Sequence, residues 1–122
     1  MTVLMLGQQL ELGHYRAEFL RFHGFRVIFP ESKNEAISAI RAGDFDAAII
    51  SYTLSRNTAR QLAKLIKQVS PDCPMVAISR QGDRDTDFER DETVLYTDPP
   101  QSLIDALVRI GKRQLQREEK RS

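Results

Sequence analysis

The sequence predicts an α/β domain in which a five-stranded parallel sheet is covered by helices on both faces. Short apolar runs alternate along the chain with stretches of helical periodicity, the pattern of βα units wound around a parallel sheet. One of these runs, Ala47-Ala48-Ile49-Ile50, is apolar throughout, as a strand buried on both sides must be. The chain's 122 residues suit one domain of ordinary size, long enough to bury a core without disulfide or metal staples.

Val3 to Leu6 forms the first strand. Leu12, Tyr15, Phe19 and Phe22 then recur at spacings of three and four, one apolar stripe on a first helix that Gly24 can close. Phe25-Arg26-Val27-Ile28-Phe29 reads as the second strand from its aromatic and β-branched content, and Pro30 stops it. Ser32-Lys33-Asn34-Glu35 matches a capping box, in which the Ser hydroxyl and Glu carboxylate satisfy amides left free at a helix start. The second helix follows, with Ala36, Ile37 and Ile40 on its face and Gly43 as a left-handed stop.

After the third strand, Asn57 or Thr58 caps a third helix whose Leu62, Leu65, Ile66 and Val69 face the sheet, while Arg60, Lys64 and Lys67 stay in water and Pro71 ends it. Met75 to Ile78 is the fourth strand and Val94 to Tyr96 the fifth. Between them, Arg80 to Glu92 is almost entirely polar, with Phe88 its one large apolar residue. A fourth helix there has almost no face to bury, so it is expected to be short, degenerate or replaced by a loop. The last helix begins near Pro99 and runs through Leu103, Ile104, Leu107, Val108 and Ile110. Residues 1–111 make the domain; 112–122 form a polar, basic helix extension or tail.

Composition narrows the function classes. With 18 basic and 17 acidic residues the formal charge is +1, which creates no overall field for nucleic acid or an anionic membrane. The lone Cys73 excludes an internal disulfide and a cysteine metal cluster, and it suits a reducing cytoplasm. The apolar N-terminus is one strand long with no basic lead, so it reads as a strand and not as a signal peptide, and no run is long enough for a membrane span. The tail from Lys112 to Arg121 interleaves acids with its bases and has no aromatic to stack on a base, which argues against nucleic acid as a partner of this domain.

Five strands alternating with helices over this length point to a flavodoxin-like, doubly wound sheet of order 2-1-3-4-5. In detail the chain resembles the receiver domains of bacterial two-component response regulators, chemotaxis-regulator-like in extent, from Val3 to about Ile110. Val3-Leu4-Met5-Leu6 resembles the first receiver strand. Asp44-Phe45-Asp46-Ala47-Ala48-Ile49-Ile50-Ser51 resembles the third, Pro74-Met75-Val76-Ala77-Ile78-Ser79 the fourth, and Tyr96-Thr97-Asp98-Pro99 the end of the fifth.

The resemblance implies a phosphoryl-accepting pocket whose parts are replaced. The phosphoacceptor aspartate position holds Ser51, the acidic pair that helps to bind Mg²⁺ falls on Gly7 and Gln8, and the lysine before proline falls on Asp98, ahead of Pro99. The usual proline and glycine of the following loop fall on Ser55 and Ala59, and only the hydroxyl of the fourth strand is kept, as Ser79. Mg²⁺ wants carboxylate ligands, and phosphoryl transfer wants metal and a cation to neutralise developing charge. Ser51 cannot form an acyl phosphate, and no base is placed to activate it, since His14 and His23 lie on the first helix. The nearest acids, Glu11, Asp44 and Asp46, sit away from the strand ends.

The resemblance therefore implies a pseudo-receiver: no enzyme, no cofactor and no metal, acting through a protein partner or self-association at strands four and five and the last helix. Asp98 ahead of Pro99 reads as a helix cap, Gly7 as a tight turn out of the first strand, and Gln8 and Gln9 as caps of the following helix. Two other readings stay open: a small-molecule sensor using the neutral crevice at the ends of strands one and three, and a regulator still phosphorylated by unusual chemistry.

Overall fold

In the computed structural model, which describes residues 1–80 and 88–121, strands and helices alternate as β1 (Thr2–Leu6), α1 (Leu10–Phe22), β2 (Arg26–Ile28), α2 (Lys33–Ala42), β3 (Ala47–Ser51), α3 (Arg56–Val69), β4 (Met75–Ser79), β5 (Glu92–Leu95) and α4 (Gln101–Arg121). The sheet has the order β2-β1-β3-β4-β5 and every pair is parallel. This is the expected doubly wound 2-1-3-4-5 arrangement.

Alternation along β1 sorts the core into two layers. Val3 and Met5 point to one face and pack with Ala17 and Leu20 of α1 and Leu103, Leu107 and Ile110 of α4. Leu4 and Leu6 point to the other face and pack with Ala36 and Ile40 of α2 and Leu62 and Ile66 of α3. Because helices cover both faces, β3 and β4 are buried at every position. Cys73 is a free, buried thiol beside this second core; burial pushes its pKa up to about 11, so it stays protonated at neutral pH.

Helix α1 buries a different row from the one its large residues mark. Gly13, Ala17 and Leu20 face the sheet, while Tyr15 and Phe22 are exposed. Small residues let the helix approach closely: a Cβ on Gly13 would fall inside the Phe29 ring, which occupies the space instead. Gly24, at φ +93°, closes the helix as expected, its N–H donating to the Arg21 carbonyl.

At α2, Ser32 Oγ accepts from the Glu35 N–H at 3.1 Å, but the Glu35 carboxylate reaches past Ser32 to the Glu31 N–H at 2.9 Å, so the capping box is reciprocated one residue early. Gly43 ends the helix in the left-handed conformation. At α3 the cap is Ser55, whose Oγ accepts from the Thr58 N–H at 3.2 Å; Asn57 and Thr58, the expected caps, lie inside the first turn. Leu62 and Ile66 face the sheet with Ala59 and Ala63, and Val69 is left exposed.

Strand β2 covers only Arg26–Ile28 of the expected Phe25 to Phe29, and two further differences lie near the C-terminus. β5 begins at Glu92 and ends at Leu95, leaving Tyr96 in the following turn, and α4 starts at Gln101 because Pro99 and Pro100 hold the chain in turns before it. No peptide bond among the described residues is cis. Helix α4 continues through residues 112–121. The expectation of a short or missing fourth helix falls mainly on residues 81–87, which lie outside the described residues; Phe88, just after them, packs on the second core. Among the described residues, no helix is long and apolar enough to cross a membrane.

Candidate functional site

The C-terminal ends of β1, β3 and β4 converge because parallel register carries Leu6 beside Ile50 and Ser51 beside Ile78. Gly7 and Gln8 leave β1 there, Ser51 ends β3 and Ser79 ends β4, so four of the residues singled out from sequence are brought to one crevice. Ser51 and Ser79 are the buried polar residues at the strand ends, with exposures of 5% and 1%.

What joins Gly7, Gln8 and Ser51 is a residue the sequence reading passed over. Thr53 donates its hydroxyl to Ser51 Oγ at 3.1 Å and its backbone N–H to the same oxygen at 3.2 Å, and its Oγ1 accepts from the Gln8 N–H at 2.9 Å. Gly7 is glycine for the same reason. Its φ is not positive, so no turn demands it; a Cβ there would come 2.9 Å from Thr53 Oγ1 and 3.3 Å from Ser51 Cβ. Gln9 occupies the N-cap position of α1 without a side-chain hydrogen bond, and Gln8 contributes its backbone. Tyr52 and Thr53 form a turn closed by the Leu54 N–H donating to the Ser51 carbonyl at 3.1 Å, which folds the Thr53 hydroxyl back onto Ser51.

Asp98 lies three residues beyond β5. Its carboxylate accepts from the Leu95 N–H at 3.0 Å and its own N–H donates to the Leu95 carbonyl at 3.0 Å. It therefore closes the turn after the strand and does not cap α4. Tyr96, directly after β5, donates its N–H to the Ser79 carbonyl at 2.8 Å and sets its ring edge-on to Tyr52 at 5.5 Å. Tyr52 also carries the Arg80 guanidinium 5.8 Å above its ring. The half-buried Arg16 of α1 meets Tyr52 as well: burial lowers the guanidinium pKa, and charge interaction and hydrogen bonding with the Tyr52 phenol oppose the shift. The rim of the crevice is thus aromatic and cationic, built from residues on α1 and after β3, β4 and β5, and nothing in their spacing marks them in the sequence.

A separate cavity of about 180 Å³ opens beside Gly7 and Gln8, walled by Leu6, Leu54 and Leu62 and rimmed by Ser32 and Lys33. His14, on α1, reaches across to Glu31 at 3.0 Å and sets its ring edge-on to Phe29, far from Ser51 in the hydrogen-bond network. Among the described residues, no group of three or more His, Cys, Asp or Glu side chains could hold a metal ion.

No protein-family model matches this sequence, and no curated protein matches it. Solved structures do. The CheY-like receiver domain of a response regulator from Methanospirillum hungatei JF-1 superposes with a TM-score of 0.76 at 15% identity, over 99% of this chain and 98% of its own. The N-terminal domain of a response regulator/sensory box/GGDEF three-domain protein from Carboxydothermus hydrogenoformans gives 0.78 at 16% identity, over 94% and 99%. The receiver domain of a sensor histidine kinase from Pseudomonas aeruginosa PAO1, with magnesium coordinated in its active-site cleft, gives 0.73 at 18% identity, over 88% and 94%. The chain has the fold of CheY-like response-regulator receiver domains.

Proposed function

We propose that this chain is a signalling module of the receiver type that has given up phosphoryl chemistry and works by binding another protein surface. The observation that carries this reading is the closed hydroxyl network of Ser51 and Thr53 on the Gln8 backbone, in the place where receivers accept a phosphoryl group. Gly7, Gln8 and Ser51 stand at the positions of the acidic pair and phosphoacceptor, and Asp98 with Pro99 at that of the lysine and proline. A serine alcohol does not form an acyl phosphate, and a neutral donor set with no carboxylate does not fit magnesium. The Thr53 hydroxyl, 2.9 Å from where a Gly7 side chain would begin, also occupies the room such a ligand needs.

Output then comes from surface, at β4, β5 and α4, with Leu95 and Tyr96 exposed beside the Glu92 ion pairs to Arg109 and Arg113. Amide NMR with Mg²⁺ and beryllofluoride tests the proposal. No saturable shift is expected at Gly7, Ser51 or Ser79, and saturable shifts there would refute it. One observation favours a second reading, a small-molecule sensor: the 180 Å³ cavity beside Gly7 has apolar walls and a polar rim, a volume on the order of one that holds a benzene-sized ligand. Native mass spectrometry of the purified chain would reveal such a ligand as added mass.

A further inference from the structure

The cavity beside Gly7 carries more than apolar walls. The segments that follow β1, β2 and β3 surround it, and its volume is about 180 Å³. Leu6 of β1, Ala36 of α2 and Leu62 of α3 line it and are themselves buried, and Pro30 and Leu54 add further apolar wall. Since an apolar hollow of about 150 Å³ takes up a benzene ring, there is room here for a compact body of about six to eight carbons.

The polar groups of the rim are donors without acceptors to match. Ser32 Oγ accepts from the Glu35 N–H, which leaves the Ser32 hydroxyl hydrogen to donate. Thr58 Oγ1 accepts from the Ser55 hydroxyl at 2.9 Å, because Ser55 Oγ is itself taken by the Thr58 N–H, so the Thr58 hydroxyl hydrogen is left over in the same way. Neither hydrogen has an acceptor among the described residues. Lys33 Nζ crosses from the start of α2 to α3 and donates to the Gln61 amide oxygen at 2.8 Å, a neutral partner. Among the described residues no carboxylate pairs with it. As the first residue of α2, Lys33 also stands at the positive end of a helix dipole, where a cation is disfavoured. The carboxylate on the rim, Glu31, is engaged by the His14 ring at 3.0 Å.

We propose, as an inference that rests on the small-molecule reading above, that this cavity binds a small monocarboxylic acid. Its apolar body lies among Leu6, Leu54 and Leu62, and its carboxylate meets Lys33 and the Ser32 and Thr58 hydroxyls. A carboxylate answers this rim twice, since it accepts without donating and its charge offsets the lysine. An amine would meet Lys33 as a like charge and bring donors to a rim that already has them. A neutral hydrocarbon would fill the walls and leave Lys33 without a counter-charge. The occupant would also adjoin the closed network: Gln8 lines the cavity and donates its N–H to Thr53, and Leu54 donates its own to the Ser51 carbonyl at 3.1 Å.

NMR of the full chain, titrated with sodium benzoate, sodium cyclohexanecarboxylate, benzyl alcohol and sodium acetate, tests this. The two cyclic carboxylates should give saturable shifts at Leu6, Ala36, Leu54 and Leu62 with dissociation constants of roughly 0.1–1 mM, the range open to ligands of that size. Benzyl alcohol, with a ring and no charge, should bind at least about 10-fold more weakly. Acetate, a head group with almost no body, should not saturate by about 50 mM. Lys33→Met, which keeps the stem at an exposed position and removes the charge, should weaken the cyclic carboxylates about 10-fold and leave benzyl alcohol unchanged. Cyclic carboxylates that give no saturable shift at these residues overturn the proposal, and so does an affinity that Lys33→Met leaves unchanged. If benzyl alcohol alone saturates, the carboxylate assignment fails while the small-molecule reading stands; silence from all four ligands removes both.

Discussion

Thr53 shows how much one hydroxyl can organise. It accepts from Gln8, donates twice to Ser51 and excludes a side chain at Gly7, tying the ends of β1 and β3 together without a charge. Thr53→Ala should cost about 1–2 kcal/mol, the range for leaving partly buried hydrogen-bonding groups without a partner. Gly7→Ala should cost about 1–2 kcal/mol through the close contact it forces. In the Thr53→Ala background the same change should cost at least about 0.5 kcal/mol less, because the blocking oxygen is gone. Urea denaturation of the four proteins in that cycle measures the coupling; strictly additive costs would mean Thr53 is not what keeps Gly7 bare. Ser51 and Gly7 were legible as candidates from their order along the chain. Thr53 was not, because its role depends on β1 lying beside β3.

Among the elements, the helix ends were readable and the helix faces less so. Gly24 and Gly43 stop α1 and α2 where their sequence positions indicate. The start of α3 was ambiguous, since Ser55, Asn57 and Thr58 can all cap; the backbone enters the helix at Arg56, which leaves Ser55 as the residue with extended dihedrals. Ser55→Ala should therefore destabilise by about 1 kcal/mol and Asn57→Ala by a few tenths at most, a contrast thermal unfolding resolves. On α1, hydrophobic bulk misleads about which row faces the sheet. The large residues Tyr15, Phe19 and Phe22 dominate any periodicity count, but close helix–sheet approach is bought by Gly13 and Ala17.

Across the whole molecule, the sheet edge is held by electrostatics as well as by packing. Glu92 opens β5 and pairs with Arg109 at 2.7 Å and Arg113 at 2.8 Å, latching the edge strand to α4. Burial alone would raise the Glu92 carboxyl, but the Arg113 and Arg109 guanidiniums outweigh it and hold the group below the ordinary carboxylate range. A carboxyl with a depressed native pKa contributes stability above its unfolded value, near about 4.3, and loses it as pH falls through the lower native value. Glu92→Gln should accordingly lower stability by about 1 kcal/mol at neutral pH. The gap between variant and parent should close below about pH 4, as followed by denaturant midpoints across pH.

The alternation of strands and helices along the whole chain pointed to the 2-1-3-4-5 order, and local chemistry was enough to decide the strands, the glycine stops and the residues that leave the strand-end crevice without carboxylates. Each of these local features depends on short-range preferences: apolar runs, backbone permissiveness, and side-chain type at a position counted from a strand. Which row of α1 meets the sheet, that Thr53 closes the crevice, that Asp98 folds back on Leu95, and that Arg16, Tyr52, Arg80 and Tyr96 meet at its rim depend on distances between elements remote in sequence. Those distances are set by how closely helices settle on the sheet and by the register of its strands, and no window of sequence contains them.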